Sequence, residues 1–520
     1  MRRIPFLLFL LVCVSLIPGS FFFLRPKKSV ASCPVKTSLR LNIGAPPQEV
    51  DPHFVRDTNS GFFVLHLYEG LFRIGEKGVL LPALAKKTSI SKDGLNYEIE
   101  LRPSYWSDGT PLTAHDFVRS WRSVLSPRGK FSPFRSSFNF FLGAEQIDPF
   151  HPDWSRLSLF AKNDYTICFS LRRRMPSFLF MLTQPLFFPV HPYGRTDASI
   201  TNGPFRLIKG QQKHLTWEKN PFYWDVKSVQ LEKVDLFFLH DNVAQTSLFM
   251  RKELDWIGGC LLSIAESTLD QLEELESESA SVHYVILNTD SRIFASQKIR
   301  RAFSMSLNRF ELAKKLSKRF YPAYRYLPTL FSSKIEMNSL VEDLADALED
   351  LNIGLAEQKL LPEHLNAIRF ICHPEQVPIV KLLQESWERN LGCRVNIQLV
   401  DANTFLSRLE RGEFDCAIQG MSAPYPDPYT LLEPFRYKRG ANNFSNWTSF
   451  FFLHFLEEGL SSDGQERLSF LRKMERTILN EMPIIPLFFE KQIYAHQKDL
   501  LGVIIQECRM ADFSRAYWGS

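Results

Sequence analysis

Carboxylates, imidazoles, thiols and hydroxyls do chemistry when they stand in pairs or triads at a productive spacing. This chain sets none of them in a catalytic pattern. It has no Gly-x-Ser-x-Gly elbow, no His-Glu-x-x-His helix, no phosphate-cradling P-loop and no Gly-x-Gly-x-x-Gly turn. Its 12 histidines are scattered rather than clustered at metal-ligand spacing. The eight cysteines (Cys13, Cys33, Cys168, Cys260, Cys372, Cys393, Cys416 and Cys508) include no Cys-x-x-Cys pair, so a zinc site or a thioredoxin-like couple lacks support. One or two disulfides fit the spacing as well as a set of buried thiols does. Asp427 sits between Pro426 and Pro428, a carboxylate on a stiff loop, yet no second acid or base accompanies it. The expectation is a protein that is not an enzyme and uses no cofactor or metal. Binding is the chemistry left. Phe is abundant, with 45 residues; these either line a ligand cleft or reflect codon bias, and their even spread favours the second.

Those groups must be positioned by a large scaffold. The chain has 520 residues, enough for two to four structural units, and its 45% apolar and 23% charged content is that of a folded soluble protein. Of its 62 basic residues, Arg2, Arg3, Arg25, Lys27 and Lys28 lie in the first 28 positions, where no acid stands. The rest of the chain is balanced at 57 basic against 57 acidic residues, which argues against a nucleic-acid partner. Between Pro5 and Leu24 runs an uncharged apolar stretch of 20 residues. With the basic start it reads as an export signal. Ser29-Val30-Ala31 offers a cleavage site, Val30-Ala31-Ser32-Cys33 resembles a lipoprotein box with Cys33 as the lipidated residue, and the length also allows an uncleaved anchor.

Patterning predicts strands over 38–43, 97–101, 166–171, 205–208 and 234–239, and helices over 60–72, 245–251 and 296–318. Thr113-Ala-His-Asp116 opens a helix through an S/T-x-x-D/E box. The segments 367–372, 377–391, 395–400, 404–411 and 415–419 alternate β-α-β-α-β, which calls for a parallel sheet. The acidic stretch 269–278 reads as a solvated helix face.

A set of phrases then occurs in order: Val50-Asp-Pro52, Tyr68-Glu-Gly-Leu-Phe72, Pro82-Ala-Leu-Ala85, Asp93-Gly-Leu95, Trp106-Ser-Asp-Gly-Thr-Pro-Leu-Thr-Ala-His-Asp-Phe117, Asn202-Gly-Pro-Phe205, Lys219-Asn-Pro-Phe-Tyr-Trp224, Leu287-Asn-Thr289, Ile299-Arg-Arg-Ala302 with Asn308-Arg309, Tyr425-Pro-Asp-Pro428 and Pro483-Ile-Ile-Pro-Leu487. From about residue 38 to 500 the chain resembles the family 5 solute-binding proteins of bacterial oligopeptide and dipeptide ABC importers. The phrases also have structural reasons, since Asp-Gly and Asn-Gly-Pro make tight reversals and paired prolines stiff loops.

The resemblance implies an α/β fold of the type II periplasmic-binding-protein kind, in its large three-domain variant, with mixed sheets and a hinge. It implies an export segment over 1–35, a discontinuous lobe I (36–74, 195–282 and 486–520), an extra domain over 75–194 packed on lobe I, and lobe II over 283–485. It implies a monomer, in the periplasm or on the outer face of the cytoplasmic membrane, held there through its N-terminus. Its partners would be a peptide ligand bound as an added strand between the lobes, and membrane permease subunits driven by a cytoplasmic ATPase.

By position in the family pattern the cleft residues are Asn59, Ser60, Gly61, Phe138, Asn139, Trp256, Gly258, His283, Tyr284, Met421, Ser422, Ala423, Tyr425, Asp427 and Phe488. The late loop departs from the pattern. Pro424 stands where peptide binders carry an Asp for the ligand's α-ammonium, Met421 replaces a Trp, and Ile418 lies near an expected Arg. Other solutes (a muropeptide, a nickel complex or haem) and a chaperone or signalling role therefore stand as alternatives.

Overall fold

A computed structural model of the chain describes residues 36–519, apart from 127–131, 133, 195–196, 212–213, 260, 333–338, 439–442 and 507–509. The export segment, its proposed lipidation site Cys33, and Cys13, Cys260 and Cys508 lie outside the described residues. Among the described residues no helix is long and apolar enough to cross a membrane. Cys168, Cys372, Cys393 and Cys416 are free thiols.

Ser38–Asn42 alternates half-buried and buried side chains. It pairs in parallel with Lys233–Phe237 along all five residues and touches Trp256 on its other side. These strands belong to one mixed sheet of eleven. Its far end holds the predicted β-α-β-α-β series: Arg369–Cys372 lies parallel to Asn396–Leu399 and to Cys416–Ser422. A separate four-stranded antiparallel sheet runs in the order Ala85–Ile90, Asn96–Leu101, Thr166–Ser170, Leu159–Asn163. The helix Ala114–Leu125 buries Phe117, Val118, Trp121, Val124 and Leu125, and the Trp121 indole N–H donates to the Phe187 carbonyl at 2.9 Å. At the start of this helix the Asp116 carboxylate accepts the Thr113 N–H at 2.8 Å. The preceding turn needs its glycine: Gly109 has φ +86°, and its N–H bonds the Trp106 carbonyl.

The buried residues fall into two sets. One comprises cores built, with the half-buried side chains packed on them, from residues 39–272 and 494–518. The other comprises cores built only from residues 280–489. Two strands carry the chain between them, Leu275–Leu287 and Ile484–His496, and these pair with each other. Their register shifts between Glu278 and Val282 and again between His283 and Tyr284. Such bulges bend a strand locally.

Three expectations are corrected. The helix predicted over 296–318 is two helices, Gln297–Met305 and Arg309–Leu316. Asn308 breaks it, because its side chain accepts the Glu311 N–H at 2.9 Å and caps the second helix. The stretch 269–278 is not a helix face. It is the end of a 3-10 turn, Glu266–Gln271, followed by a strand from Leu275 on which Glu276 meets Lys491 at 2.7 Å. The helix predicted over 60–72 spans Thr58–Leu67 and gives way to a short strand, Phe72–Ile74.

Three of the sequence phrases converge on one buried carboxylate. Glu69 accepts the Tyr223 hydroxyl at 2.9 Å and the Trp224 indole N–H, and Arg73 lies 3.6 Å away. Asn202 holds the Glu69 backbone from both sides, accepting its N–H and donating to its carbonyl. A side chain at Gly203 would run into the Leu67 backbone at 2.5 Å, so only glycine lets the two segments approach. The phrases are therefore scaffold at this point.

Candidate functional site

The two sets of cores are bridged by a cavity of about 380 Å³. Asn242, Gly259, Ile264 and Glu266 line it from the first set of segments, and Ser317, Arg319, Phe320 and Glu375 from the second. Glu490 and Gln492, on the returning strand, form part of its wall.

Glu490 of its wall belongs to a polar cluster built where the paired strands meet. His283 stands opposite Gly420 in the pairing of Leu275–Leu287 with Cys416–Ser422. The imidazole lies over this glycine, where an added Cβ would come within 2.9 Å of Nδ1. Nε2 of His283 is 3.1 Å from the Glu490 carboxylate, and Nη1 of Arg319 is 3.7 Å from its other oxygen. The Phe320 ring meets His283 edge-on at 5.4 Å. Burial alone would raise the Glu490 carboxyl, but the hydrogen bond and charge of His283, with Arg319, outweigh it and hold that acid below its ordinary range. The cavity thus offers Arg319 as a cation and Glu266, Glu375 and Glu490 as carboxylates, on mixed apolar walls. Such a lining suits a ligand that carries both charges and amide groups.

The late loop is held by contacts on several sides. Met421 lies 3.6 Å from the Tyr326 hydroxyl, which donates to the Leu431 carbonyl at 2.8 Å. Ser422 is exposed, and its hydroxyl bonds Ser281 at 2.5 Å; Ala423 is buried. The Pro424 carbonyl accepts the Gln184 amide at 2.8 Å. Tyr425 is half-buried beside the Ser177 hydroxyl, and burial pushes its phenol up. Asp427 is 3% exposed; it binds Arg467 at 2.8 Å and accepts the Tyr429 N–H at 3.1 Å. Its charge is thereby matched by the helix Gly464–Glu481.

The remaining expected residues are distributed as follows. Asn59 donates to the Ala45 carbonyl, and the buried Ser60 hydroxyl accepts the Gln48 and Glu49 N–H groups. Gly61 packs against Met510. Phe138 is fully buried and Asn139 exposed. Trp256 stacks on Tyr494 at 4.7 Å and His496 at 5.6 Å inside a core. Gly258, at φ +82°, abuts the Ile493 carbonyl. Tyr284 is buried with its hydroxyl on Gln419, and Phe488 is buried in the second set of cores. None of these residues lines the 380 Å³ cavity itself. The paired strands bring His283 against its Glu490, and Gly258 precedes its Gly259. Arg319, Glu375 and Glu490 were not found from sequence. Each is an ordinary surface-type charge in its own segment, and only the tertiary fold brings them together.

Comparison with known proteins fits this geometry. Residues 79–443 match the family described as bacterial extracellular solute-binding proteins, family 5. The chain belongs to that family. It is 28% identical over 507 residues to the oligopeptide-binding protein OppA of Bacillus subtilis, covering 93% of each chain. It is 26% identical over 479 residues to the dipeptide-binding protein DppE of the same organism, covering 88% of each. Its fold superimposes with a TM-score of 0.77 on Haemophilus influenzae OppA in complex with the peptide RPPGFSPFR, at 20% identity, covering 93% of this chain and 99% of that one. The fold is the type II periplasmic-binding-protein fold that the sequence phrases implied.

Proposed function

We propose that this chain is the substrate-binding subunit of an ABC importer. It captures oligopeptides between two lobes and delivers them to a membrane permease. The observation that carries the reading is the mixed-charge cavity between two sets of cores that a bulged pair of strands links along the chain. A hinge at those bulges lets the lobes open and close around a ligand. In this reading lobe I comprises 36–74, 195–282 and 486–520, lobe II comprises 283–485, and 75–194 form the extra domain. A peptide main chain pairs along the exposed Ser422 end of its strand, and charged ends or side chains meet Arg319 and the carboxylates around it. The late-loop residues Met421–Asp427 form the wall beside Tyr326. The protein works as a monomer outside the cytoplasm, tethered or released through its first 35 residues, and turns over no substrate.

Native mass spectrometry of the exported chain, purified without refolding, tests this directly. A ladder of added masses that resolves into mixed short peptides is the expected result. A single defined mass would replace promiscuous peptide capture with a specialised solute. A protein that carries nothing and binds no short peptide on titration would sink the reading.

A further inference from the structure

The extra domain does more than pack on its own lobe. Its segment Arg172–Gln184 reaches the other set of cores at four points. Nη1 of Arg173 lies 2.9 Å from the Glu457 carboxylate, and Arg174 pairs with Asp463. The Ser177 hydroxyl meets Tyr425, and the Gln184 amide donates to the Pro424 carbonyl at 2.8 Å. The last two contacts fall on the late loop itself. The first two fall on the helices Phe450–Ser461 and on the turn leading into Gly464–Glu481. Arg173 enters an existing charge chain, since Glu457 also binds the nearly buried Arg436, which is held in bidentate fashion by Glu433 at 2.6 and 3.0 Å. The third successive arginine, Arg172, turns back to Glu145 in its own domain at 3.8 Å. On the cavity flank a second set of contacts spans the same divide: Ser317 bonds Glu266, and Lys318 pairs with Asp270 at 3.0 Å.

We infer that the Arg172–Gln184 segment is a clamp that positions the late loop and holds the two halves together, so that it governs how fast a bound ligand leaves. The inference rests on the cleft reading above. Ser177 and Gln184 act as positioning residues, because they fix the loop's Pro424 and Tyr425. Arg173 and Arg174 supply attraction that does not need a ligand. Both ion pairs are about half exposed, so each is individually weak and screened by salt. Their joint effect is a modest bias toward the closed form, which lengthens ligand residence.

The test uses the full exported chain and two readouts. Small-angle scattering without ligand should show a compact particle at low salt that expands in about 1 M salt, where the Debye length falls to about 3 Å. R174D combined with R173A should be expanded already at low salt. R174D combined with D463R restores the Arg174–Asp463 attraction with reversed polarity and should be compact again. For release, a radiolabelled pool of tri- to pentapeptides is chased with unlabelled pool. The R173A/R174D variant should lose it about three- to ten-fold faster, with little change in association rate. Gln184→Ala should speed release without altering the salt dependence. Unchanged scattering and release in R173A/R174D, or no rescue by the charge swap, would overturn the clamp. If the native chain retains no peptide at all, the proposed function fails, and the scattering comparison alone decides the clamp.

Discussion

Two buried glutamates show how differently this protein handles the same group. Glu69, in the first set of cores, is surrounded by donors with a cation among them: the Tyr223 hydroxyl, the Trp224 indole and Arg73. Burial pushes its carboxyl up, and Arg73 and the two donors pull it back only in part. Glu475, in the second set, accepts the Tyr326 and Leu327 N–H groups at 3.0 and 2.8 Å through one oxygen. Among the described residues its other oxygen is buried with no hydrogen-bond partner. Burial raises this carboxyl to about 7. Burial raises both carboxyls, but Glu69 has a cation 3.6 Å away and a donor on each oxygen, whereas Glu475 holds two amides on one oxygen and feels Arg325 only through its charge. Glu475 anchors the turn that carries Tyr326, and Tyr326 backs Met421 of the late loop and Leu431 of the helix that follows it.

The largest effect should come from removing Glu69, the acid with the more partners. Glu69→Ala strands Arg73, Tyr223 and Trp224, and should cost about 3–5 kcal/mol in urea unfolding of the first set of cores. A loss near zero would erase the distinction between the two sites. The second effect concerns pH. The folded pKa of Glu475 is raised above that of an unfolded Glu, so its stabilising contribution is fully present below about pH 4.5 and is lost as pH rises through about 7. It should make the native protein about 3 kcal/mol less stable at pH 8 than at pH 4.5, from this group alone. Glu475→Gln keeps the acceptor and should flatten that slope in thermal melts taken from pH 5 to 8; a slope that persists would assign the proton elsewhere. Asn308→Ala removes an uncharged cap and should cost about 1 kcal/mol at every pH, which sets the scale of a hydrogen bond without charge. Lys318→Ala breaks an exposed pair with Asp270 and should leave the melting midpoint where it is.

Much of the scaffold was legible before any coordinates. The alternation in 367–419 gave a parallel sheet because each strand and helix there carries its own period. The Trp106–Pro111 turn was readable because Asp-Gly forces its shape. Where local pattern and distant partner disagree, reading failed. The acidic stretch at 269–278 has the composition of a solvated helix, but Lys491 and the returning strand draw Glu276 into a sheet. Asn308 sits within an apolar helical stripe, and only its side-chain bond to Glu311 reveals a break. The candidate site was legible in part. His283 was named from the family pattern, and the structure sets it against Glu490. Its partners Glu490 and Arg319 could not be named that way, since 207 residues separate His283 from Glu490. Asp427 stood out on sequence for its flanking prolines, and its pairing with Arg467 depends on a helix 40 residues away.

The pair of strands linking the two sets of cores also imposes an order in time. Everything that builds the second set lies between residues 280 and 489, one uninterrupted stretch of chain. The first set is different: Trp256 needs Tyr494 and His496 beside it, and Leu500, Phe513 and Ala516 complete the core around Leu39 and Trp217. A chain emerging from its N-terminus can therefore finish the inserted half while the half begun earlier still waits for its last strand. The core around Leu39, Trp217 and Trp256 is begun first and closes last, and it stays open to proteases or chaperones until residues 494–516 arrive.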